Sequence, residues 1–455
     1  MAMKKPTIHI SRRNFLRGAT LSAFGFTVLP SRVLGLGGQT PPSEKLNIAG
    51  IGIGGQGASD LNQLAGENIV ALCDVDWARG AGMFKKFPNA KKYKDFRKML
   101  EEQKDIDAVV VATPDHVHAI ASLTAIKLGK HVYCEKPLTH SVWEARKVAE
   151  AAREHKVATQ MGNQGQASEQ TRRLSEMVSD GAIGPVREAH IWTDRPSNGL
   201  FNEYWPQGVG RPADSPPVPS TLDWDLWIGP APYRPYHPAY VPFKWRGWWD
   251  FGTGALGDIG CHSFDPVFRA LKLGYPTSVE ACSTRVNEET FPLASVVTYH
   301  FPARGDMPPV KLTWSDGGTR PPRPEELEDG RVMGATGALL IGDRGKILSS
   351  QRGYSIIPEA RMKEYGEPPR KLARSPGHHR EWIEACKGGQ PAGSNFDWAG
   401  PLAEVVLLGN VALRVHLREE LTKRKLLWDG PGLQIANLSQ ANKYLRREYR
   451  EGWSV

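Results

Sequence analysis

The chain contains few cysteines, and their spacing matches neither a metal site nor a disulfide framework. The five are Cys73, Cys134, Cys261, Cys282 and Cys386. None forms a CxxC pair, and no Cys/His cluster has the spacing of a zinc site. Exported proteins usually pair their thiols, so an odd number without a framework favours folding in the reducing cytosol. No metal site is expected.

Long apolar runs are also missing. Beyond a weak stretch near the N-terminus, no segment approaches the roughly 20 apolar residues of a transmembrane helix, so no stable membrane span is expected. The chain of 455 residues is 40% hydrophobic and 24% charged, which is typical of a globular protein with a sizeable core. At about 150 residues per domain, this length allows two or three domains.

The chain also has no concentrated basic patch. Its formal net charge is +9, but the lysines and arginines are scattered, and some lie in the N-terminal leader. A nucleic-acid partner is therefore not expected.

The N-terminus has the pattern of an export signal. Residues 11–17 read Ser-Arg-Arg-Asn-Phe-Leu-Arg, and a mildly apolar stretch runs from Gly18 to Leu29 before Pro30. Two consecutive arginines before a weak apolar segment are typical of a twin-arginine signal, here assigned to residues 1–36. The pattern predicts a periplasmic or otherwise exported protein that meets the twin-arginine translocase already folded. A cofactor loaded in the cytosol would be one reason to use that route.

A dinucleotide-binding loop is predicted directly after the first strand candidate, residues 46–51. The set Gly50-x-Gly52-x-x-Gly55 fits the fingerprint in which glycines permit a tight turn, close approach to a pyrophosphate and close packing of helix on strand. Gly54 and Gln56 belong to the same loop and are predicted to bind the cofactor with it. A second strand, residues 68–74, ends at Asp74, where an acid would contact the ribose hydroxyls and repel a 2′-phosphate. NAD is therefore favoured over NADP, with Asp76 as a rival for the same role.

Strands and helices continue to alternate after Asp74. Further strands are predicted at 107–112, 131–134 and 157–161, with helices at 58–64, 116–128 and 142–155. The run at 107–112 is continuously apolar, as in a strand buried on both faces. The pattern predicts an α/β fold whose N-terminal domain, residues 45–165, is a Rossmann domain with a doubly wound parallel sheet.

Two segments carry a resemblance to a known family. Glu135-Lys136-Pro137-Leu138 follows a strand at the carboxyl edge of the sheet, and Thr113-Pro114-Asp115-His116-x-His118 follows the strand before it. Both resemble motifs of the Gfo/Idh/MocA family (glucose–fructose oxidoreductase and inositol dehydrogenase), over about residues 45–430. The resemblance implies that Lys136 is catalytic beside the nicotinamide, and that Glu135 and the segment with Thr113, Pro114, His116 and His118 contact the cofactor.

A second motif, Gly257-Asp258-Ile-Gly260-Cys261-His262, completes the predicted catalytic set. In the resembled family an Asp and a His spaced by four point from one helix into the cleft, and positions i and i+4 share a helix face. Oxidation of a secondary alcohol requires removal of the hydroxyl proton, and histidine suits a general base near neutrality. Asp258 would orient His262 or hold a second hydroxyl, and Lys136 would polarise the reacting oxygen.

Residues 195–251 form a long segment rich in Pro, Gly and Trp, and a loop of this length is usually functional or disordered. Its aromatic residues argue against disorder, and aromatic faces stack on sugar rings, although packing of the loop onto the sheet explains any single one. Trp248, Trp249, Arg195 and Lys244 are the predicted substrate-binding residues. Arg246 is a further candidate for meeting hydroxyls or an acidic sugar.

The rest of the chain predicts a C-terminal α+β domain, residues 166–430, with a largely antiparallel sheet. Strands are predicted at 186–193, 276–287, 292–302, 309–315 and 335–342, and helices at 377–387 and 399–418. Residues 317–332 are predicted as an exposed loop and residues 431–455 as a C-terminal tail. The resemblance implies that one face of the sheet serves a homo-oligomer.

The predicted function is that of an NAD(P)-dependent oxidoreductase acting on a ring hydroxyl of a sugar, glycoside or polyol, with a tightly bound cofactor. Outside the cytosol free nicotinamide cofactor is scarce, which favours reactions without net redox change. The alternative is therefore an NAD-retaining, redox-assisted glycoside hydrolase on the same fold, since no paired carboxylates for conventional hydrolysis are identifiable. A non-catalytic sugar sensor would be expected to lack Lys136 or His262, and both are present.

Overall fold

Six parallel strands form the sheet of the N-terminal half. They lie in the order β3-β2-β1-β4-β5-β6, which is the Rossmann order. The strands are β1 (Asn47–Ile51), β2 (Asn68–Cys73), β3 (Lys91–Tyr93), β4 (Ala108–Val111), β5 (His131–Glu135) and β6 (Thr159–Gly162). The helices between and after them are α1 (Gln56–Gln63), α2 (Trp77–Lys86), α3 (Phe96–Glu102), α4 (Asp115–Lys127), α5 (Val142–His155) and α6 (Glu169–Ser179). The sequence patterns predicted five of these strands; β3, α2, α3 and α6 were not predicted.

The computed structural model describes residues 44–197, 204–350, 353–417 and 424–454, and residues 46–455 belong to one unit. The predicted twin-arginine signal at residues 1–36 lies outside the described residues. All five cysteines lie within them and are free thiols.

Nine strands form the second sheet, in the order β13-β12-β11-β7-β10-β9-β8-β14-β15. β10 and β7 pair in parallel, and the other neighbouring pairs are antiparallel. The strands are β7 (Val186–Trp192), β8 (Ser278–Ser283), β9 (Ser295–Phe301), β10 (Val310–Ser315), β11 (Gly337–Gly342), β12 (Gly345–Ser350), β13 (Gly353–Ile357), β14 (Leu426–Asp429) and β15 (Gln434–Ile435). The helices are α7 (Trp224–Ile228), α8 (Gly254–Ala270), α9 (Glu359–Tyr365), α10 (His378–Cys386) and α11 (Phe396–Arg414). The predicted mostly antiparallel C-terminal sheet is confirmed, with β12, β13, β14 and β15 as additional strands.

Helix α11 packs on both α5 and α8, because small residues lie at the crossings. A Cβ atom at Gly400 would stand 2.9 Å from Cβ of Ala149 in α5, and one at Gly260 in α8 would stand 3.2 Å from Val406. Among the described residues, only Phe396–Leu417 is long and apolar enough to cross a membrane, and 83% of its apolar window is buried inside the protein. This apolar character therefore belongs to a core helix.

The C-terminal residues pack against the first sheet and its helices. Arg447 Nε donates to Glu144 in α5 at 2.8 Å, and the ring of Trp453 lies 6.2 Å from that of Phe96 in α3, centroid to centroid. Residues 431–455, predicted as a tail, thus include β15 and a segment that reaches the Rossmann domain. The predicted loop at 317–332 has no helix or strand, but Leu327 within it is buried with Trp192.

Candidate active site

In the structure, the glycine fingerprint after β1 begins two residues later in the chain than the sequence analysis predicted. Gly52 has a φ of +77°, and a Cβ atom there would lie 2.7 Å from the carbonyl oxygen of Ala112. Gly57 in α1 is the glycine that permits close packing, because its Cβ would stand 1.9 Å from the carbonyl oxygen of Gly52. The motif is therefore Gly52-x-Gly54-x-x-Gly57.

The predicted cofactor role of Gly50 is corrected by the same geometry. Gly50 lies inside β1, paired with Leu72 and Val110, and a Cβ atom there would meet Leu61 of α1 at 2.8 Å. It serves packing of helix on sheet. The glycine run contains two overlapping matches to the fingerprint, one beginning at Gly50 and one at Gly52. Only the position at which β1 ends shows which match forms the loop.

A cavity of about 730 Å³ opens from this loop and is lined by residues of both halves of the chain. Among the predicted cofactor residues, those that line it are Gly52, Gly54, Gly55, Gln56, Asp74, Thr113, Pro114, Glu135 and Lys136. Asp76 and Arg79 line it as well. The volume lies within the range of roughly 300–1,000 Å³ that small-molecule sites occupy.

Asp74 joins the glycine loop to the end of β2. Its two carboxylate oxygens accept hydrogen bonds from the backbone N–H of Ile53 at 3.0 Å and of Asp76 at 2.9 Å. Burial raises the pKa of Asp74. The rival acid, Asp76, accepts from the N–H of Ala78 and thereby caps α2.

His116 and His118 lie behind the cavity, which corrects their predicted contact with the cofactor. The ring nitrogens of His118 contact the carbonyl oxygens of Pro137 at 2.7 Å and Thr113 at 2.8 Å. Burial opposes its protonation, but contacts that include Cys134 and Asp115 raise its pKa to about 10, so both ring N–H groups donate. His118 therefore ties the Thr113 loop to the turn after Lys136. His116 is buried between the carbonyl oxygens of Trp227 and Phe251.

Lys136 and Asp258 meet across the two halves of the chain. Lys136 Nζ donates to Asp258 Oδ1 at 2.7 Å and to the backbone oxygen of Asp258 at 2.8 Å. Arg246 Nε donates to the same Oδ1 at 2.8 Å. Burial acts to raise the pKa of Asp258, but the two cations more than offset it and hold the pKa well below its ordinary value. Asp258 is thus a carboxylate that orients two cations.

His262 lies one turn after Asp258 on α8 and lines the cavity. No described residue hydrogen-bonds to its imidazole ring. Burial, and then the charge of Lys136, lower the pKa of His262 to about 3. The ring is therefore neutral and free to accept a proton from a molecule in the cavity.

Glu135, the residue before Lys136, is also fixed by hydrogen bonds. Its carboxylate accepts from Gln164 Nε2 at 2.7 Å and lies 3.3 Å from the hydroxyl of Tyr133. Burial raises its pKa. Gln164 also lines the cavity, and no sequence motif had indicated it.

The predicted substrate contacts of Trp248 and Trp249 are corrected, since both indoles are buried in the core. Trp248 Nε1 donates to the carbonyl oxygen of Ala239, and Trp249 Nε1 donates to that of Asn287, each at 2.9 Å. Neither lines the cavity. They are packing residues of the long loop, as the alternative interpretation held.

Arg195 and Lys244 also lie outside the cavity lining. Arg195 pairs with Asp194 at 2.8 Å and stacks on Tyr204, whereas Lys244 is exposed on the short 3-10 helix Lys244–Gly247. Arg246 on that helix does line the cavity, with its guanidinium 4.1 Å from the ring centroids of Phe243 and Trp245. Of the three basic candidates in this loop, only Arg246 reaches the site.

Aromatic residues from distant parts of the chain complete the wall. They are Phe96, Trp227, Tyr236, Phe243, Trp245 and Trp453. The loop reaches the nucleotide end of the cavity through backbone bonds, from Trp77 N–H to the oxygen of Thr221 at 3.1 Å and from Asp223 N–H to that of Val75 at 2.9 Å. Trp453 could not be found from a motif, because Phe96, the residue it packs beside, lies 357 positions earlier in the chain (453 − 96).

The residues present fit a dinucleotide. The close backbone turn from Gly52 to Gly57 needs glycine, because Cβ atoms at Gly52 and Gly57 would meet the backbone oxygens of Ala112 and Gly52. No described side chain caps the N-terminus of α1; its Gly57 N–H donates to the oxygen of Gly54 at 3.2 Å, and a helix N-terminus without a side-chain cap suits a phosphate. The described residues contain no group of three or more His, Cys, Asp or Glu side chains placed to hold a metal ion.

Family models match both halves of the chain. One, described as an oxidoreductase family with an NAD-binding Rossmann fold, matches residues 45–163, and another, described as the family's C-terminal alpha/beta domain, matches residues 172–455. The chain belongs to the Gfo/Idh/MocA oxidoreductase family. The resemblance inferred from the Glu-Lys-Pro motif is confirmed.

Curated relatives match about a third of the chain. Inositol 2-dehydrogenase of Rubrobacter xylanophilus is 33% identical over 147 residues, which are 31% of this chain and 42% of that protein. Glycosyl hydrolase family 109 protein 1 of Akkermansia muciniphila is 30% identical over 165 residues, 33% of this chain and 34% of that protein. The matches therefore span less than half the length of these relatives.

Solved structures share the whole fold. The WlbA dehydrogenase of Bordetella pertussis, solved with NADH and UDP-GlcNAcA, superposes with a TM-score of 0.56 at 15% identity, over 85% of this chain and 99% of that one. At this identity the similarity establishes the two-domain fold.

Proposed function

We propose that this protein is an NAD-dependent oxidoreductase that acts on a ring hydroxyl of a sugar, glycoside or polyol and keeps its cofactor tightly bound. One observation carries the proposal: Lys136 and His262 line the same cavity as the dinucleotide loop, and Asp258 holds Lys136 there by a hydrogen bond. The relative named inositol 2-dehydrogenase supports a polyol-like substrate.

His262 is proposed as the general base. Its neutral ring accepts the hydrogen bond of a substrate hydroxyl and takes that proton on a ring nitrogen as the alcohol becomes a carbonyl. Its i+4 position relative to Asp258 places it on the helix face that Lys136 reaches. In the reverse reaction the same nitrogen returns the proton.

Lys136 is proposed to hold the reacting oxygen. A lysine ammonium has three donors, and two of them point at Asp258. The third is available to the substrate oxygen, where a positive charge stabilises the negative charge that develops as the proton leaves. The nicotinamide ring, when bound, accepts or returns the hydride.

Arg246 is proposed to contact a second hydroxyl or a carboxylate of the substrate. Its Nε is committed to Asp258, and its plane is stacked near Phe243 and Trp245, so the guanidinium is held rigidly at the cavity wall. A rigid fork of donors suits recognition of oxygens in one plane.

We propose tight cofactor binding because chain segments cover the part of the cavity beside the glycine loop, where the nucleotide would lie. The segment around Leu222 is bonded to residues 75–77, and Trp453 closes the wall beside Phe96. We would purify the protein without added cofactor, denature it and measure the released nucleotide by mass and absorbance. Stoichiometric NAD(H) supports the proposal, whereas an empty protein that reduces added NAD with a sugar indicates an ordinary exchanging dehydrogenase.

A redox-assisted glycosidase is the second candidate, favoured by the relative named glycosyl hydrolase family 109 protein 1. The reaction would oxidise a ring hydroxyl, eliminate the glycosidic oxygen, add water and reduce the ketone again, with no net redox change. A panel of aryl glycosides and free sugars, assayed for hydrolysis and for oxidised products, separates the two candidates.

Export through the twin-arginine pathway remains part of the proposal. The motif at residues 11–17 supports it. Replacement of both Arg12 and Arg13 by Lys keeps the charge, so the proposal expects loss of export to the periplasm with unchanged cytosolic folding.

Assembly into a homo-oligomer through one face of the nine-stranded sheet is proposed as well. Alternate residues of β9 are buried and partly exposed, so one face of that strand is available to a second copy. Light scattering of the purified protein, coupled to gel filtration, measures the mass and would show a monomer if the proposal is wrong.

A further inference from the structure

A second cavity, of about 40 Å³, lies apart from the candidate active site and shares none of its lining residues. It forms where the start of α5, the end of α11 and the segment at residues 444–447 meet. Its polar lining comes mainly from His140, Asn410, Arg414, Arg446 and Arg447.

Four buried polar atoms around this cavity have no hydrogen-bond partner among the described residues. They are His140 Nε2, Asn410 Oδ1, Arg414 Nε and Arg447 Nη1. Buried polar groups are nearly always paired, since leaving one unpaired is costly. That four residues lining one small space each carry such an atom indicates an occupant.

The charges around the cavity are unbalanced. The Arg414 guanidinium lies between the rings of Trp249 and Tyr444, at 5.2 and 5.0 Å from their centroids. The described residues offer neither Arg414 nor Arg446 a carboxylate within 4.0 Å. Arg447 does have one, because its Nε pairs with Glu144 at 2.8 Å. Counted over the described residues, the site therefore carries excess positive charge.

The pKa values of neighbouring groups are shifted in this environment. Burial, followed by the charges of Arg447, His116 and Arg414, holds the pKa of His140 well below its usual value. Burial lowers the pKa of Arg414, with Tyr444 and Asp250 acting in the opposite direction. Asp250 is itself paired with Arg234 and does not supply a partner.

We propose that this cavity binds a small inorganic anion of the size of chloride, held by Arg414 and Arg447 with a water molecule beside it. The water follows from Asn410, whose Nδ2 donates to the backbone oxygen of Thr253 at 2.9 Å, so that Oδ1 faces the cavity and needs a donor. An anion has no proton to donate, whereas water does. A cavity of about 40 Å³ is sufficient, since about 10–15 Å³ holds one water molecule.

Such an anion would join three elements of the fold. It would connect the end of α11, the loop that carries Trp249 and the C-terminal segment. That segment continues to Trp453 at the active-site wall, although the anion site itself does not depend on the proposed function.

The decisive experiment is a crystal structure of the full chain grown with bromide in place of chloride. We expect an anomalous peak between Arg414 Nε and Arg447 Nη1. Ordinary water density without an anomalous peak overturns the proposal.

Thermal unfolding in solution provides the second measurement, with chloride compared against gluconate at equal ionic strength. Chloride should raise Tm along a saturating curve in the wild type, because it binds the native state only. Arg414→Gln should abolish this rise. Arg304→Gln is the matched control, since Arg304 is also a partly buried arginine with an unpaired Nη2 but lies outside the cavity. An equal chloride response in Arg414→Gln and wild type contradicts the proposal; if Arg414→Gln does not fold, Arg447→Gln, which removes the other proposed ligand of the anion, replaces it.

Discussion

Lys136 Nζ lies 2.7 Å from Oδ1 of Asp258, a residue 122 positions later in the chain, and 2.8 Å from its backbone oxygen. The pair joins the turn after β5 to helix α8 and thereby assembles the candidate site from both halves of the protein. Asp258 holds the ammonium in place while its own pKa is kept low.

Replacing Lys136 with Met is expected to lower kcat by about 10²–10⁴-fold, the usual contribution of a positioned proton donor or acceptor. Methionine keeps the length of the side chain and removes the charge, so the cofactor should stay bound. Steady-state kinetics and the content of bound nucleotide would be measured together. Lys127→Met, at the exposed end of α4, is the control, and full activity in Lys136→Met would exclude the assigned role.

His262 is expected to make the native state sensitive to acid. Burial and then Lys136 lower its native pKa to about 3, whereas the unfolded value is about 6.5. The unfolded chain therefore binds an extra proton between these values, and stability falls as pH falls through this window, by about 1.4 kcal/mol per pH unit.

The matched comparison is His262→Gln, which cannot take up that proton. Between about pH 6.5 and about pH 4.5 the wild type should lose about 2 kcal/mol more than the variant. Urea unfolding at both pH values measures the difference, and parallel losses in the two proteins would show that His262 is not held neutral. His262→Gln is also expected to abolish turnover.

The revised register of the glycine loop predicts that Gly57→Ala abolishes nucleotide binding. The added Cβ would stand 1.9 Å from the backbone oxygen of Gly52, which cannot move without opening the loop. Gly66→Ala is the control, because nothing lies within 4 Å of its Cβ position. Calorimetric titration of cofactor-free protein with NAD would measure both variants, and normal affinity in Gly57→Ala would restore the earlier register.

Asp74→Ala is expected to reduce the preference for NAD over NADP, since the carboxylate repels a 2′-phosphate. The readout is the ratio of the two dissociation constants, because loss of the bonds to Ile53 and Asp76 should weaken both cofactors alike. Asp76→Ala is the companion variant. An unchanged ratio in Asp74→Ala with a changed one in Asp76→Ala would transfer the role to Asp76.

Trp453→Ala is expected to speed release of the bound nucleotide. The indole lines the cavity beside Phe96, and the Arg97 guanidinium stacks on it at 4.1 Å from the ring centroid. Dissociation would be followed by the fluorescence of bound NADH after dilution into excess NAD. Trp77→Ala replaces an exposed tryptophan outside the cavity lining and controls for loss of an indole. Equal release rates in Trp453→Ala and wild type would show that Trp453 does not retain the nucleotide.

Local patterns in the sequence were sufficient for the fold class and for the catalytic candidates. The apolar run of β4, the capping box that starts α5 and the alternation of strands with helices all act over a few residues, so the parallel domain could be predicted. Lys136, Asp258 and His262 belong to short motifs with defined spacing, and the structure brings Lys136 to Asp258 and places Lys136 and His262 in one cavity.

What only the tertiary structure decided depends on contacts between distant segments. The choice of Gly57 over Gly50 follows from where β1 ends, and the burial of Trp248 and Trp249 follows from how the long loop folds back on itself. Arg246 and Trp453 reach the cavity because the loop and the C-terminus are bonded to the Rossmann domain. A sequence pattern records the polarity and spacing of neighbours, whereas the packing partner of a residue such as Trp453 lies on a chain segment hundreds of residues away, which no local pattern records.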